Sequence, residues 1–310
     1  MDDFSEFNYW VALLLAVSWL WCLYVIYGGL KSSGKVIYFT ALFPYFCLFV
    51  LFIRGITLPG SWNGIIHFFY PKFEELKNPN VWNDASTQVF FSYGICVGCW
   101  IALSSRNKFN YDLQYHCVAI LSLNCLTALF AGVTVFAIIG FLAHDEGKPI
   151  ETVVESGVGL AFIVYPEAAL RLPLSPFWSA LFFAMLLSLG FGSIFVMAEA
   201  FNKAVIDEFK IIKNHQFIYG VIIFLFSTGV GCLFNFSSGV YWFEVFNFYA
   251  TSGFAMLFLV FCEMVGIFWI YGSAKYIDQI QDMMGFRINC VWFWCWKYAS
   301  PILTAVSSYL

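Results

Sequence analysis

Apolar residues run along this chain in long blocks parted by short polar breaks. Blocks at or near the roughly 20 residues that a membrane-crossing helix needs cover Trp10–Tyr27, Val36–Ile53, Val89–Ser104, Val118–Ala143, Phe177–Phe201, Phe217–Phe234, Phe246–Tyr271 and Val291–Leu310. They predict about eight spans and an all-α, polytopic membrane protein with a single transmembrane domain over residues 1–310. Two longer excursions, residues 54–87 and 144–176, read as extracellular loops. Within the second, Glu151–Leu170 is apolar but short and is cut by Gly157, Gly159 and Pro166, so the expectation is a hairpin lying back on the protein. Asn202–Gln216 carries Val205, Ile206, Phe209 and Ile212 opposite its charges and predicts a helix at the membrane surface.

One block is unlike the others. Val89–Ser104 reads VFFSYGICVGCWIALS, long enough to matter yet interrupted by Ser92, Gly94 and Gly98. An unpaired backbone group costs several kcal/mol in hydrocarbon, so irregular backbone persists only against protein or along a polar cavity. Secondary transporters build midplane binding sites from such discontinuous helices. The same Gly94-x-x-x-Gly98 spacing also fits a helix-contact motif.

Composition agrees: 61% hydrophobic, 22% aromatic and 11% charged residues, with a mean hydropathy of +0.79, leave too little polar surface for a water-soluble domain. Alternate loops carry Lys31 and Lys35, then Arg106 and Lys108, then Lys203, Lys210 and Lys213, then Lys275 and Arg287, which predicts that side to be cytoplasmic. The acidic start, MDDFSEF, is then extracellular, and with no signal peptide in Met1–Asn8 the expectation is that spans are missing upstream. A net charge of −4 without a basic stripe gives no sign of nucleic acid binding. Most of the ten cysteines lie in or beside apolar blocks as small hydrophobes, and Cys96-x-x-Cys99 has no histidine or carboxylate companions. His67, His116, His144 and His215 form no nucleophile-and-base grouping, so an enzyme is not expected.

Polar residues at membrane depth are functional candidates. Gln88, Ser92, Asn124, Ser188, Ser193, Glu199 and Glu263 are the set, with Gln114 and Asn235 nearer the surfaces. Ser92 and Asn124 offer the hydroxyl and amide oxygens that a hard cation such as sodium takes, and a broken helix adds carbonyls. Equally, Ser92 can bond its own helix and Asn124 can bridge two helices. Glu199 sits one turn before Lys203 and can pair with it, while Glu263 suits a neutral, hydrogen-bonded carboxyl.

Several ordered blocks then carry a family likeness: Gly34–Gly60, Val81–Gly94 (VWNDASTQVFFSYG), Glu155–Ala168 (ESGVGLAFIVYPEA) and Phe268–Gly285. The chain resembles the sodium:neurotransmitter symporter family, nearly end to end. The resemblance implies a partial LeuT-type fold: the last two helices of the first inverted repeat, the whole second repeat and the start of the peripheral helices. It implies a multi-pass plasma-membrane protein moving a small amino acid, amine or related osmolyte with sodium.

By the same resemblance Ser92 and Asn124 match one sodium site, and Leu189, Gly192 and Ser193 a second, where Gly192 lacks the side-chain oxygen usual there. Gln88, Ser92 and Asn124 match chloride ligands, with Ala128 in place of the expected serine hydroxyl. Phe91, Gly94, Val97, Ser193 and Met197 fall on the substrate pocket, with Cys96 beside them, and Arg106 and Asn247 on the two gates, Asn247 without the usual acidic charge. The other interrupted helix of the family is not among these blocks, so the expectation is a chain impaired in transport as it stands. The alternative is a non-transporting membrane protein that associates with full-length relatives.

Overall fold

The computed structural model describes residues 7–27, 30–95, 97–105, 107–154, 159–209, 212, 214–236, 238–251 and 254–309. These residues are overwhelmingly helical, and the only extended pairing described is an isolated bridge between Phe7 and Phe236.

The long helices are α1 (Tyr9–Tyr27), α2 (Leu30–Ile56), α6 (Leu113–Glu146), α9 (Ser175–Glu208) and α10 (Gln216–Cys232). Between them lie α3 (Ser61–Phe69), α4 (Pro79–Ser92), α5 (Cys99–Ser104), α7 (Ile150–Val153) and α8 (Tyr165–Leu170). After α10 come α11 (Gly239–Phe246), α12 (Phe254–Val265), α13 (Ser273–Met284), α14 (Cys290–Trp294) and α15 (Ser300–Tyr309). Wider π-helical turns join several of these, at Leu160–Val164, Asn247–Thr251, Gly266–Gly272 and Cys295–Ala299.

By length and composition, six stretches among the described residues can cross a membrane: Tyr9–Ile26, Tyr38–Ile56, Leu113–Glu146, Ser175–Glu208, Gln216–Asn235 and Ala255–Met284. Two apolar blocks of the sequence are built otherwise. Val89–Ser104 is divided between α4 and α5, and Cys290–Tyr309 runs as α14, a π turn and α15. A third difference concerns Asn202–Gln216: α9 continues unbroken to Glu208, so half of the expected surface helix prolongs a span. Asn202 is buried within this continuous helix.

The residues form two compact units. One comprises Gly28–Lys72 and Ser122–Phe195. Its core gathers Cys47, Leu48 and Leu51 of α2, Ile138, Ile139 and Leu142 of α6, Tyr165 and Ala168 of α8, and Phe182 and Met185 of α9. The rings of Tyr165 and Phe182 stack at 3.7 Å. Backbone approach is closest where α3 meets α6: a Cβ on Gly64 would lie 1.9 Å from the Phe136 carbonyl oxygen, and one on Gly140 2.7 Å from the Gly64 nitrogen. Only glycine at both positions permits that contact. Pro44 lies inside α2, which a membrane helix tolerates where neighbours satisfy the freed carbonyl.

The other unit comprises Met1–Tyr27, Phe73–Leu121 and Val196–Leu310. Here α1 packs on α10, and α12 packs on α15 and α4. Helix α1 is apolar around its whole circumference and exposes Trp10, Leu13, Leu14, Val17, Leu20 and Trp21, as lipid contact requires.

Candidate functional site

Helix α4 starts where the sequence provides for it: the Asn78 side chain accepts from the Asn80 N–H at 3.1 Å, and Pro79 occupies the first turn. It stops at Ser92. Gly94 follows at φ 60° and Gly98 at φ 75°, both left-handed, and α5 begins immediately after Gly98. A side chain at Gly94 would meet only Trp100, and one at Gly98 would meet nothing within 4 Å. These glycines are therefore needed for their backbone angles rather than for room.

Two polar ties hold the break in shape. The Trp100 indole N–H donates to the Tyr93 carbonyl at 2.5 Å, folding α5 back toward the end of α4. The Tyr93 hydroxyl donates to the Leu121 carbonyl of α6 at 3.2 Å. A third contact lies at the far end of α5, where the Lys203 ammonium donates to the Ala102 carbonyl at 3.3 Å and also to the Ser105 hydroxyl.

The interrupted segment thus carries Gln88, Phe91 and Ser92 in the last turns of α4, and Gly94 and Val97 in the break itself. All belong to the unit that also holds Met197, on α9, and Asn247, the first residue of a π turn. Arg106 and Cys96 lie outside the described residues.

Asn124, Ala128, Leu189, Gly192 and Ser193 belong to the other unit. Asn124 and Ala128 stand one turn apart on α6, which is continuous through both. Leu189 and Ser193 also stand one turn apart, on α9, where the Ser193 hydroxyl donates to the Leu189 carbonyl at 3.1 Å. The two oxygens that the family resemblance assigns to one ion site are therefore already bonded to each other. Close by, the Ser188 hydroxyl donates to the Thr40 carbonyl of α2 at 3.3 Å, and a Cβ on Gly192 would meet the Thr40 hydroxyl at 3.5 Å. Thr40 and Ser188 are both buried, so this is a polar seam between two spans.

Sequence reasoning missed three features. Lys203 meets α5 across a separation of about a hundred residues, which no local pattern displays. Arg171 is a hub: it bonds Asp145 at 2.5 Å, Glu146 at 2.6 Å and Glu167 at 3.3 Å, while Lys148 reaches Glu146 at 2.8 Å. Only the Glu167–Arg171 spacing of four was there to be read. The hydrogen bonds to Asp145 and to Glu146 hold the Arg171 and Lys148 pKa values above their ordinary range. Physically, two acids in the last turn of α6 sit at the unfavourable end of its dipole, and the two cations relieve them. Thirdly, Tyr165 is buried, its hydroxyl has no partner among the described residues, and burial pushes its pKa up.

No three His, Cys, Asp or Glu side chains converge on a metal geometry among the described residues. One apolar cavity of about 60 Å³ lies between Leu113, Cys117, Met284, Trp292 and Trp296, away from the residues assigned above.

The family model described as the sodium:neurotransmitter symporter family matches residues 1–309. Among curated proteins, the chain is 42% identical over 294 residues to the "Sodium- and chloride-dependent GABA transporter 2" of Rattus norvegicus, covering 94% of this chain and 49% of the relative. The human protein of the same name is also 42% identical over 294 residues, with the same coverage. The "Sodium-dependent dopamine transporter" of Caenorhabditis elegans is 41% identical over 303 residues, covering 98% of this chain and 49% of that one. The chain therefore spans about half the length of the curated relatives it matches.

Proposed function

The chain belongs to the sodium:neurotransmitter symporter family, and on that premise we propose that it forms part of a sodium-coupled secondary transporter for a small amine or amino acid at the plasma membrane. The observation that carries the reading is the interruption at Gly94 and Gly98. A helix broken inside an apolar block persists only against protein or along a polar cavity, and secondary transporters place their binding sites at such breaks.

Leu189 and Ser193 supply a carbonyl and a hydroxyl one turn apart on α9, a second pair of oxygen donors. Ala128 contributes no hydroxyl to the chloride ligands, so chloride is left out of this reading, while Gly192 leaves the second sodium site one side-chain oxygen short. Phe91, Val97 and Met197 give the substrate region apolar walls, and the names of the GABA and dopamine relatives point to a substrate with an amino group. The interrupted segment provides one side of such a site. The 310 residues alone are accordingly not expected to transport.

Split expression tests this. The chain is produced in vesicles alone, and together with the segments of the rat relative that the match leaves uncovered. Sodium-dependent GABA uptake from the pair, and none from the chain alone, is the expected outcome. With both pieces in the membrane, no sodium-dependent uptake or binding by the pair would overturn the transporter reading. It would favour instead a non-transporting partner of full-length relatives.

A further inference from the structure

Helix α5 has only six residues and none of them is buried, so apolar packing does little to keep it in place. Its first residue follows a left-handed glycine with no side-chain cap, and its last carbonyls are met locally, Ile101 and Leu103 by the Ser105 N–H, Ala102 by the Ser105 hydroxyl at 2.7 Å and Ser104 by the Asn107 N–H at 2.9 Å. What ties it to a long helix is Lys203. The ammonium arrives from the last turns of α9, donates to the Ala102 carbonyl at 3.3 Å and to the Ser105 hydroxyl, and places a positive charge at the negative end of the helix dipole. Positive-φ glycines at one end and a cationic tie to α9 at the other make a part that can swing.

We propose that Lys203 is a positioning residue that latches the short arm of the interrupted span to α9, and that release of this cap frees α5 to move about Gly94 and Gly98. The inference deepens the transporter reading, because it names the contact that governs one end of its broken helix. It needs neither an ion nor a substrate for its test.

The test is hydrogen exchange with mass spectrometry on the full chain in lipid nanodiscs, comparing wild type with Lys203→Met, Lys203→Arg and Ser105→Ala. Loss of one charged cap predicts a rise of about fivefold in exchange across residues 99–105 for Lys203→Met, confined to that segment. Ser105→Ala should show a smaller rise, and Lys203→Arg should stay near wild type.

Unchanged exchange in 99–105 in both Lys203→Met and Ser105→Ala overturns the proposal. So does a rise of equal size in α1 and α10, which would mark a general loss of stability. If Lys203→Met does not fold, Lys203→Gln decides by the same criterion, because the Ser105 hydroxyl also bonds the Ala102 carbonyl directly. Because no transport is measured, a failure here is distinct from a failure of the split-expression assay.

Discussion

Two regions use glycine for opposite ends. Where α3 meets α6, Gly64 and Gly140 remove side chains so that two backbones can touch, inside a core of Cys47, Leu51, Ile139, Leu142 and Phe182. In the interrupted span, Gly94 and Gly98 have space around them and are there for their positive φ. The first region is dense, apolar and fixed by contact. The second has few buried groups and is fixed by Trp100, Tyr93 and Lys203, each through a hydrogen bond. Rigidity and discontinuity are thus assigned to different stretches of one chain.

The sharpest way to break this contrast is Gly64→Ala. Its methyl would collide with a backbone oxygen, which no rotamer change relieves, so a loss of about 3 kcal/mol and a large drop in melting temperature in detergent are expected. If Gly64→Ala melts like wild type, the close approach is not a stability determinant.

Gly98→Ala meets no atoms and should cost only the left-handed backbone, about 1–2 kcal/mol. The change should appear as altered exchange in residues 93–104 with little change in global melting. A drop as large as that of Gly64→Ala would erase the distinction between the two regions.

Tyr165→Phe sharpens the picture of the dense unit. Its buried hydroxyl makes no hydrogen bond among the described residues, so deleting it should leave melting unchanged or raise stability by about 1 kcal/mol. A clear destabilisation would reveal a partner for that hydroxyl.

The smallest effect concerns the Arg171 hub. Lys148 has a pKa raised above its ordinary 10.5 by its bond to Glu146. That contribution is therefore complete below pH 10.5 and fades only as pH rises through the higher folded value. Exchange in residues 160–170 should be flat between about pH 6 and pH 9 after correction for intrinsic rates, and a step within that window would assign the hub to another group.

How much could be read beforehand follows from the range of each interaction. The break in Val89–Ser104 was legible because Ser92, Gly94 and Gly98 punctuate an apolar block, and backbone angle is a local property. That Glu151–Leu170 does not span was legible from its length, and Leu160–Leu170 is too short to cross, while the expected turn at Gly157 lies outside the described residues. The latch of Lys203 on α5 was not, because a lysine after an apolar block reads first as a loop charge or as the partner of Glu199. Nor were the π turns at Asn247, Gly266 and Cys295, where a single extra residue enters the hydrogen-bond ladder without leaving a mark in composition. Of the residues that the family resemblance assigns to a second ion site, Leu189 and Ser193 could be named beforehand but not the bond between them.

Helices α6 and α9 each run 34 residues, about 51 Å at 1.5 Å per residue, against a hydrocarbon layer of about 30 Å. Such surplus length can be taken up by tilt, so a change in bilayer thickness should strain these two rods little. Lipids with longer or shorter acyl chains would instead be felt by the short arms on either side of Gly94, which have no spare turns to offer.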